Sequence, residues 1–294
     1  MNGRKKRKIS VSQIALAALL LLLGLICVYP MWYTFIVSFS DKAKVTAGKV
    51  LFLPKDLTFT AYEKLLSDGS FFRAFLVSVE RCVLGVGLNM ILMALTAYPL
   101  ALPAARFPER RAYVWYLMFN MLFSGGTIGW YLNIKYLHLL DSIWALVLPM
   151  GLPIYNAVLL MNFFKSVPID MNESATVDGA SPLTILVRIY LPVSLPALAT
   201  VGLFCFVSHW NSWYDGLVLI NKSTLMPLQT LIYQLNVRID TDNMTSEQLR
   251  EMAKMSSETL NAAKVIIALA PLMCIYPFLQ KYFVSGLTLG AVKE

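Results

Sequence analysis

Charge is what this chain has least of. Of its 294 residues only 14% are Asp, Glu, Lys or Arg, against 57% hydrophobic. Soluble domains carry about 25% charged residues, so that class is excluded and a polytopic membrane protein is expected. Histidine is scarcer still. His138 and His209 are the only two, and both lie in aromatic, apolar stretches where structural or interfacial roles are expected. Neither a Ser–His–Asp constellation nor a metal-ligand cluster emerges from the sequence, so no catalytic and no metal-binding residue is assigned. Cys27, Cys82, Cys205 and Cys274 show no CxxC spacing and no paired loop positions. They are expected to be buried small hydrophobes rather than disulfides or zinc ligands. The chain also lacks any Gly-x-x-x-x-Gly-Lys-Ser/Thr sequence. It therefore does not cradle nucleotide phosphates, and energy from ATP would have to enter through another subunit.

What is present is a series of long apolar runs. A membrane span needs about 20 apolar residues. Six segments qualify, at roughly 11–39, 75–102, 113–132, 143–164, 195–220 and 262–283. The expected fold is all-α, with a basic tail over residues 1–12 and one six-span domain over 13–294. Loops are expected at about 40–74, 165–194 and 221–261. The first run follows Arg4-Lys5-Lys6-Arg7-Lys8. It is far longer than a signal-peptide core of about 7–15 residues, so it reads as an uncleaved anchor. A basic tail against a span fixes topology and touches anionic lipid, and binding to nucleic acid is not expected.

Dividing the 25 Lys and Arg between the two sides gives near-equal halves. The dense N-terminal tail and the short turn holding Arg106, Arg110 and Arg111 place both termini in the cytoplasm, because charge near span ends is what orients a chain. In smaller features, Gly125-Gly126 ends the third span with residues that allow backbones to approach. Pro99 kinks the end of the second, and 245–259 is helix-compatible.

Two polar clusters interrupt the apolar pattern. One is Asn172-Glu173-Ser174-Ala175-Thr176-Val177-Asp178-Gly179-Ala180-Ser181, followed by Ile189-Tyr190-Leu191-Pro192 and Pro196. Gly179 supplies a helix stop and Ser181-Pro182 a helix start. The segment reads as helix, tight turn, helix: a rigid elbow able to transmit force from a partner. Glu173 and Asp178 lack an apolar pocket of the kind that makes catalytic acids. Docking is expected instead, with Glu173 near a helix start. The other cluster is Ser208-His209-Trp210-Asn211-Ser212-Trp213-Tyr214-Asp215 in the fifth span. Flat rings beside amides and carboxylates suit sugar recognition; an interfacial aromatic belt with polar contacts between helices explains the same residues. Both readings stand for Asn211, Trp213 and Tyr214, while His209 and Asp215 are expected to be structural. Glu80 and Arg81, in the second span, either pair with neighbours or line an entrance.

The first cluster resembles the signature loop of permease subunits of ATP-driven (ABC) importers: Glu-Ala-Ala, three residues, Gly, then Ile-x-Leu-Pro. Glu173, Ala175, Asp178, Gly179, Ala180, Ile189, Leu191 and Pro192 fall on that pattern; Ser174 stands where Ala is usual. The His-Trp-Asn-x-Trp run, Met226-Pro227-Leu228-Gln229 and the stretch from Tyr276 to Phe283 resemble the carbohydrate branch, close to the maltose-type second permease and its Gram-positive complex-oligosaccharide relatives. The resemblance implies the type I ABC importer permease fold in a bacterial inner membrane. It implies a heterodimer with a homologous second permease, two copies of a cytoplasmic ATPase that bind ATP and Mg, an extracytoplasmic solute-binding protein, and an oligosaccharide substrate. Glu173, Ala175, Asp178, Gly179, Ala180, Leu191 and Pro192 would couple to the ATPase. The competing expectation is an ion-coupled secondary sugar transporter, which calls for acids inside the membrane.

Overall fold

The computed structural model describes residues 11–237 and 258–291, with side chains given for 12–235 and 258–277. Every regular element among them is helical. The chain divides into two compact units. In the first, α1 (Val11–Ser38) is followed by α2 (Lys42–Thr46) and α3 (Thr60–Ser67). The Asp41 carboxylate caps α2 by accepting from the backbone N–H of Ala43. Ile36, Val37, Val45, Val50 and Ala262 form the small core of this unit.

The second unit is built around α4 (Gly69–Ala101), a 33-residue helix capped by Asp68. After it come α5 (Arg110–Leu122), α6 (Gly126–Tyr136), α7 (Ile143–Val147), a 3-10 turn at Leu148–Met150, and α8 (Ile154–Phe164). Then come α9 (Ile169–Val177), α10 (Pro182–Ile185), a π turn at Leu186–Tyr190 and α11 (Leu191–Val193). The last elements are α12 (Leu195–Asn211), α13 (Tyr214–Leu219), a 3-10 turn at Ser223–Leu225, α14 (Leu228–Val237) and α15 (Glu258–Ala291), whose later part belongs to this unit. α4 packs against both α8 and α12, and Met93, Ala97, Tyr98, Leu160, Phe164, Tyr190 and Val201 form the core between them.

Among the described residues, three helices are long and apolar enough to cross a membrane alone, and two bent pairs bring the number to five. Helices cover the apolar runs of the sequence, and several of these runs are broken. The third divides between α5 and α6, because Gly126 takes φ +70. A Cβ added at Gly125 or Gly126 would meet nothing within 4 Å, so these glycines make a turn rather than the close backbone approach expected of them. The fourth bends by 48° between α7 and α8. The fifth is interrupted after Asn211. Pro99 sits in the last turn of α4, ending it as expected. Cys82 and Cys205 are buried, but Cys27 and Cys274 are exposed; on helices set in lipid, an outward thiol meets hydrocarbon and needs no burial. The stretch 245–257 lies outside the described residues.

Candidate functional site

The signature segment forms a closed local structure. α9 stops at Asp178, and Gly179 turns with φ +79. The Gly179 N–H donates to the Thr176 carbonyl (3.1 Å) and the Ala180 N–H reaches back to the Ala175 carbonyl (2.9 Å). These are the two bonds of a Schellman turn, and its apolar contact falls to the residues making the longer bond. Ala175 and Ala180 both pack on the core. This explains the pattern Ala, three residues, Gly, Ala: the alanines sit the loop on the bundle and the glycine turns it. The Ser181 hydroxyl then caps the next helix, accepting from the Thr184 N–H at 3.2 Å.

Pro192 has no N–H for the Arg188 carbonyl, and the Leu191 N–H bonds instead to the Leu186 carbonyl, five residues back. The helix widens into a π turn. Pro196 repeats the interruption one turn later, and the segments Pro182–Val193 and Leu195–Asn211 meet at 87°. A second elbow thus follows the Gly179 turn, with Leu191 packed on the core and Pro192 exposed.

The pivot of this segment is a residue the sequence reading passed over. Asn172 is buried. Its amide donates to the hydroxyls of Tyr98 (3.2 Å) and Tyr190 (3.4 Å), and its carbonyl accepts from Arg106. Tyr98 and Tyr190 meet edge to face, their ring centres 4.9 Å apart. Asn172 therefore ties α9 to α4 and to the π turn at one point. It stands one residue before the signature among other polar residues, Asp170, Glu173 and Ser174, so nothing local singled it out.

Glu173 is not at a helix start: α9 begins at Ile169, and Asp170 holds the first turn. Glu173 lies 3.7 Å from Arg106 of the same chain, both partly exposed. Asp178 is exposed at the helix end. Two large apolar side chains, Val177 (86% exposed) and Leu183 (61% exposed), stand open among the exposed polar residues of the segment.

At the other polar cluster the geometry separates what the sequence had grouped. His209 and Asp215 are buried and satisfy partners on α4. His209 Nε2 donates to Asn89 Oδ1 at 2.9 Å, the direction fixed because the Asn89 amide gives its hydrogens to the Met150 and Gly151 carbonyls. Those carbonyls are left open by the bend before Pro153, so Asn89 caps the break in the fourth span. Asp215 forms a buried ion pair with Arg81, which is 0% exposed. Arg81 also donates to the Ser212 carbonyl at 3.2 Å, and the Ser212 hydroxyl donates to Asp215 at 2.7 Å. Glu80 points outward. Arg81, Gly85 and Asn89 follow one another at i, i+4 and i+8, one stripe along α4. A Cβ at Gly85 would stand 2.5 Å from the His209 ring; glycine is what lets the imidazole reach Asn89.

Asn211, Trp213 and Tyr214 are exposed. Trp213 stacks on Tyr233 with centres 4.0 Å apart and meets Tyr214 edge-on at 5.7 Å; Tyr214 in turn stacks with Trp130 at 6.5 Å. Four rings from α6, α13, α14 and the break before α13 form one open aromatic array. Trp130 and Tyr233 were not legible as members, since only the fold brings them to Trp213.

Residues 84–289 match the family described as the inner membrane component of binding-protein-dependent transport systems. The chain belongs to that family. It is 36% identical over 280 residues to the polygalacturonan/rhamnogalacturonan transport system permease protein YtcP of Bacillus subtilis, covering 93% of this chain and 95% of that protein. Protein LplC of the same organism is 36% identical over 270 residues, covering 92% and 90%. The structure is similar, with a TM-score of 0.86 at 32% identity, to a chain of a bacterial ABC transporter involved in import of the acidic polysaccharide alginate; 96% of this chain and all of that one are covered. The protein is thus a multi-pass membrane transport component with the ABC importer permease fold. Asp215, which an ion-coupled carrier would need as a free acid, is held by Arg81.

Proposed function

We propose that this chain is one of two permease subunits of a bacterial ATP-driven importer for oligosaccharides containing uronic acids, set in the cytoplasmic membrane with both termini inside. The open array of Trp130, Trp213, Tyr214 and Tyr233 carries the reading. Rings so displayed offer stacking faces to sugars, and Asn211 beside them offers an amide to hydroxyls. The alginate and polygalacturonan/rhamnogalacturonan systems handle acidic polymers, which supports the uronate class. Arg73 supports it as well. It is exposed, its Nε is bonded to the Thr224 carbonyl at 3.0 Å, and among the described residues no carboxylate pairs with it. A cation left without an acid suits an acidic substrate.

A homologous second permease, two ATPase subunits carrying ATP and Mg, and an extracytoplasmic binding protein complete the system in this reading. Closure of the ATPase dimer pushes on Val177 and Leu183. The Schellman turn and Asn172 keep the segment rigid, and the 87° elbow carries the push into α12. The outcome is a rigid-body switch between inward and outward access. Glu173 holds the segment to the Arg106 turn, while Ala175, Gly179, Ala180 and Leu191 set its shape. The test is uptake by the assembled importer. Trigalacturonate should stimulate ATP hydrolysis and maltotriose should not, and Trp213→Ala should lower stimulated turnover while leaving assembly and basal hydrolysis unchanged. An unchanged rate per assembled complex in Trp213→Ala would overturn the sugar-facing assignment.

A further inference from the structure

We infer that Arg81 is a positioning residue for sugar recognition, holding Trp213 and Tyr214 in place without touching the sugar. The inference rests on the sugar-facing reading of the aromatic array. Trp213 lies in the break between α12 and α13 and Tyr214 opens α13, and no glycine or proline makes that break: its two residues are Ser212 and Trp213. Something other than local sequence must keep those residues out of one continuous helix.

Arg81 supplies it. One guanidinium donates on both sides of the break, to the Ser212 carbonyl at 3.2 Å and, within the first turn of α13, to the Asp215 carboxylate through both Nη groups. Ser212 and Asp215 immediately flank the two aromatic residues. The Ser212 hydroxyl and the Gly216 N–H close onto the same Asp215 oxygen at 2.7 and 2.9 Å. From the other side the Thr230 hydroxyl donates to the Trp213 carbonyl at 2.8 Å. With its ends and its middle carbonyl held, the break directs the Trp213 and Tyr214 rings outward, where they stack on Tyr233 and Trp130. The Arg81 Nε is buried without a partner, so the clamp works through the two Nη groups alone. Lysine cannot reproduce that fork, since it is a point charge with no planar pair of donors.

Arg81→Lys keeps the buried charge balanced and loses the fork. The double variant Arg81→Gln/Asp215→Asn leaves no buried charge at all, and covers the event that Arg81→Lys does not assemble. Both are to be assayed in the reconstituted importer for trigalacturonate-stimulated ATP hydrolysis, per assembled complex. Loss of ring placement predicts a rise of about tenfold in the half-saturating trigalacturonate concentration, with maximal and basal rates little changed. The rise should shrink when either change is made in a Trp213→Ala background, because one of the two positioned rings is then gone. A purely structural role would lower assembly or melting temperature, leave half-saturation unchanged, and act regardless of Trp213; that result overturns the inference. If Trp213→Ala itself changes nothing, the sugar-facing reading falls and this inference with it. If Trp213→Ala impairs stimulation while both Arg81 variants saturate normally, only the positioning role falls.

Discussion

Two glycines on one face-to-face stretch of α4 permit a controlled test of the packing argument. Gly85 and Gly87 are both in the middle of the helix, so replacing either with alanine gains the same intrinsic helix preference, about 1 kcal/mol. Their surroundings differ. At Gly85 the new Cβ would lie 2.5 Å from both Cε1 and Nε2 of His209, far inside contact. The imidazole is buried and tied to Asn89, so it cannot swing aside without breaking that bond. Overpacking costs about 1–3 kcal/mol and the lost hydrogen bond about 0.5–1.5 kcal/mol. Set against the gain in helix preference, Gly85→Ala should destabilise by about 0.5–3.5 kcal/mol.

At Gly87 nothing lies within 4 Å of the added atom. It lines an apolar groove of about 420 Å³ with Val83 and Phe206. Gly87→Ala should therefore be neutral or stabilising by up to about 1 kcal/mol. Thermal unfolding of the detergent-solubilised chain, followed by the loss of its monodisperse chromatographic peak, reads the difference. Melting temperatures that move together, or a Gly85→Ala protein as stable as the parent, would refute the close approach of His209 to α4.

Further outcomes follow from the turn and from a loop clasp. Gly179 takes φ +79 in open space, so the penalty on replacing it is conformational, about 1–2 kcal/mol. Gly179→Val should uncouple uptake from ATP hydrolysis at normal membrane levels while Gly179→Asn, which tolerates that φ, retains coupling; equal uptake in both would remove the turn from the mechanism. Asp141 accepts from the backbone N–H groups of Asn221 (2.5 Å) and Lys222 (3.0 Å), bonds that hold its carboxyl below the usual carboxylate range. A depressed folded value means the stabilisation is present above the unfolded pKa, about 3.9, and is lost as pH falls through the folded value. The melting-temperature advantage of the parent over Asp141→Asn should then be constant near neutrality and shrink below about pH 4; an advantage independent of pH would count against the clasp.

Much of this was legible in the sequence because it is local. The apolar runs, the positive φ of Gly179 and the Ser181 cap depend on residues within a few positions of one another. What could not be read depends on partners far along the chain. Glu173 was placed in the coupling set by the signature it belongs to; its contact with Arg106, 67 residues away, could not be read from its own segment. The break before α13 was invisible because Ser212 and Trp213 include no glycine or proline, and it is held by Arg81 from another span. Asp215 and His209 were rightly expected to be structural, since buried polar groups in a bundle must find partners. Which partners they find was set by the Arg81–Gly85–Asn89 stripe, whose four-residue spacing was present in the sequence but carried no meaning until two broken helices were seen to meet it.

The stripe also bears on how the two clusters communicate. Tyr98, near one end of α4, bonds Asn172 of the signature segment; Arg81, 17 residues earlier, bonds the aromatic break. At 1.5 Å per residue the two points are about 25 Å apart along one helix axis. Between them α4 contains no proline, the sole one being Pro99 beyond Tyr98, so the helix has no hinge to absorb a displacement. The broken spans on either side behave differently: the fourth bends by 48°, and the α10–α12 path by 87°. A push on the signature segment thus has one stiff route and two jointed ones. In the proposed mechanism, a stiff rod clamped by buried polar bonds at both ends would move the aromatic break and the signature segment as one body, while the jointed helices take up the angular change that alternating access demands.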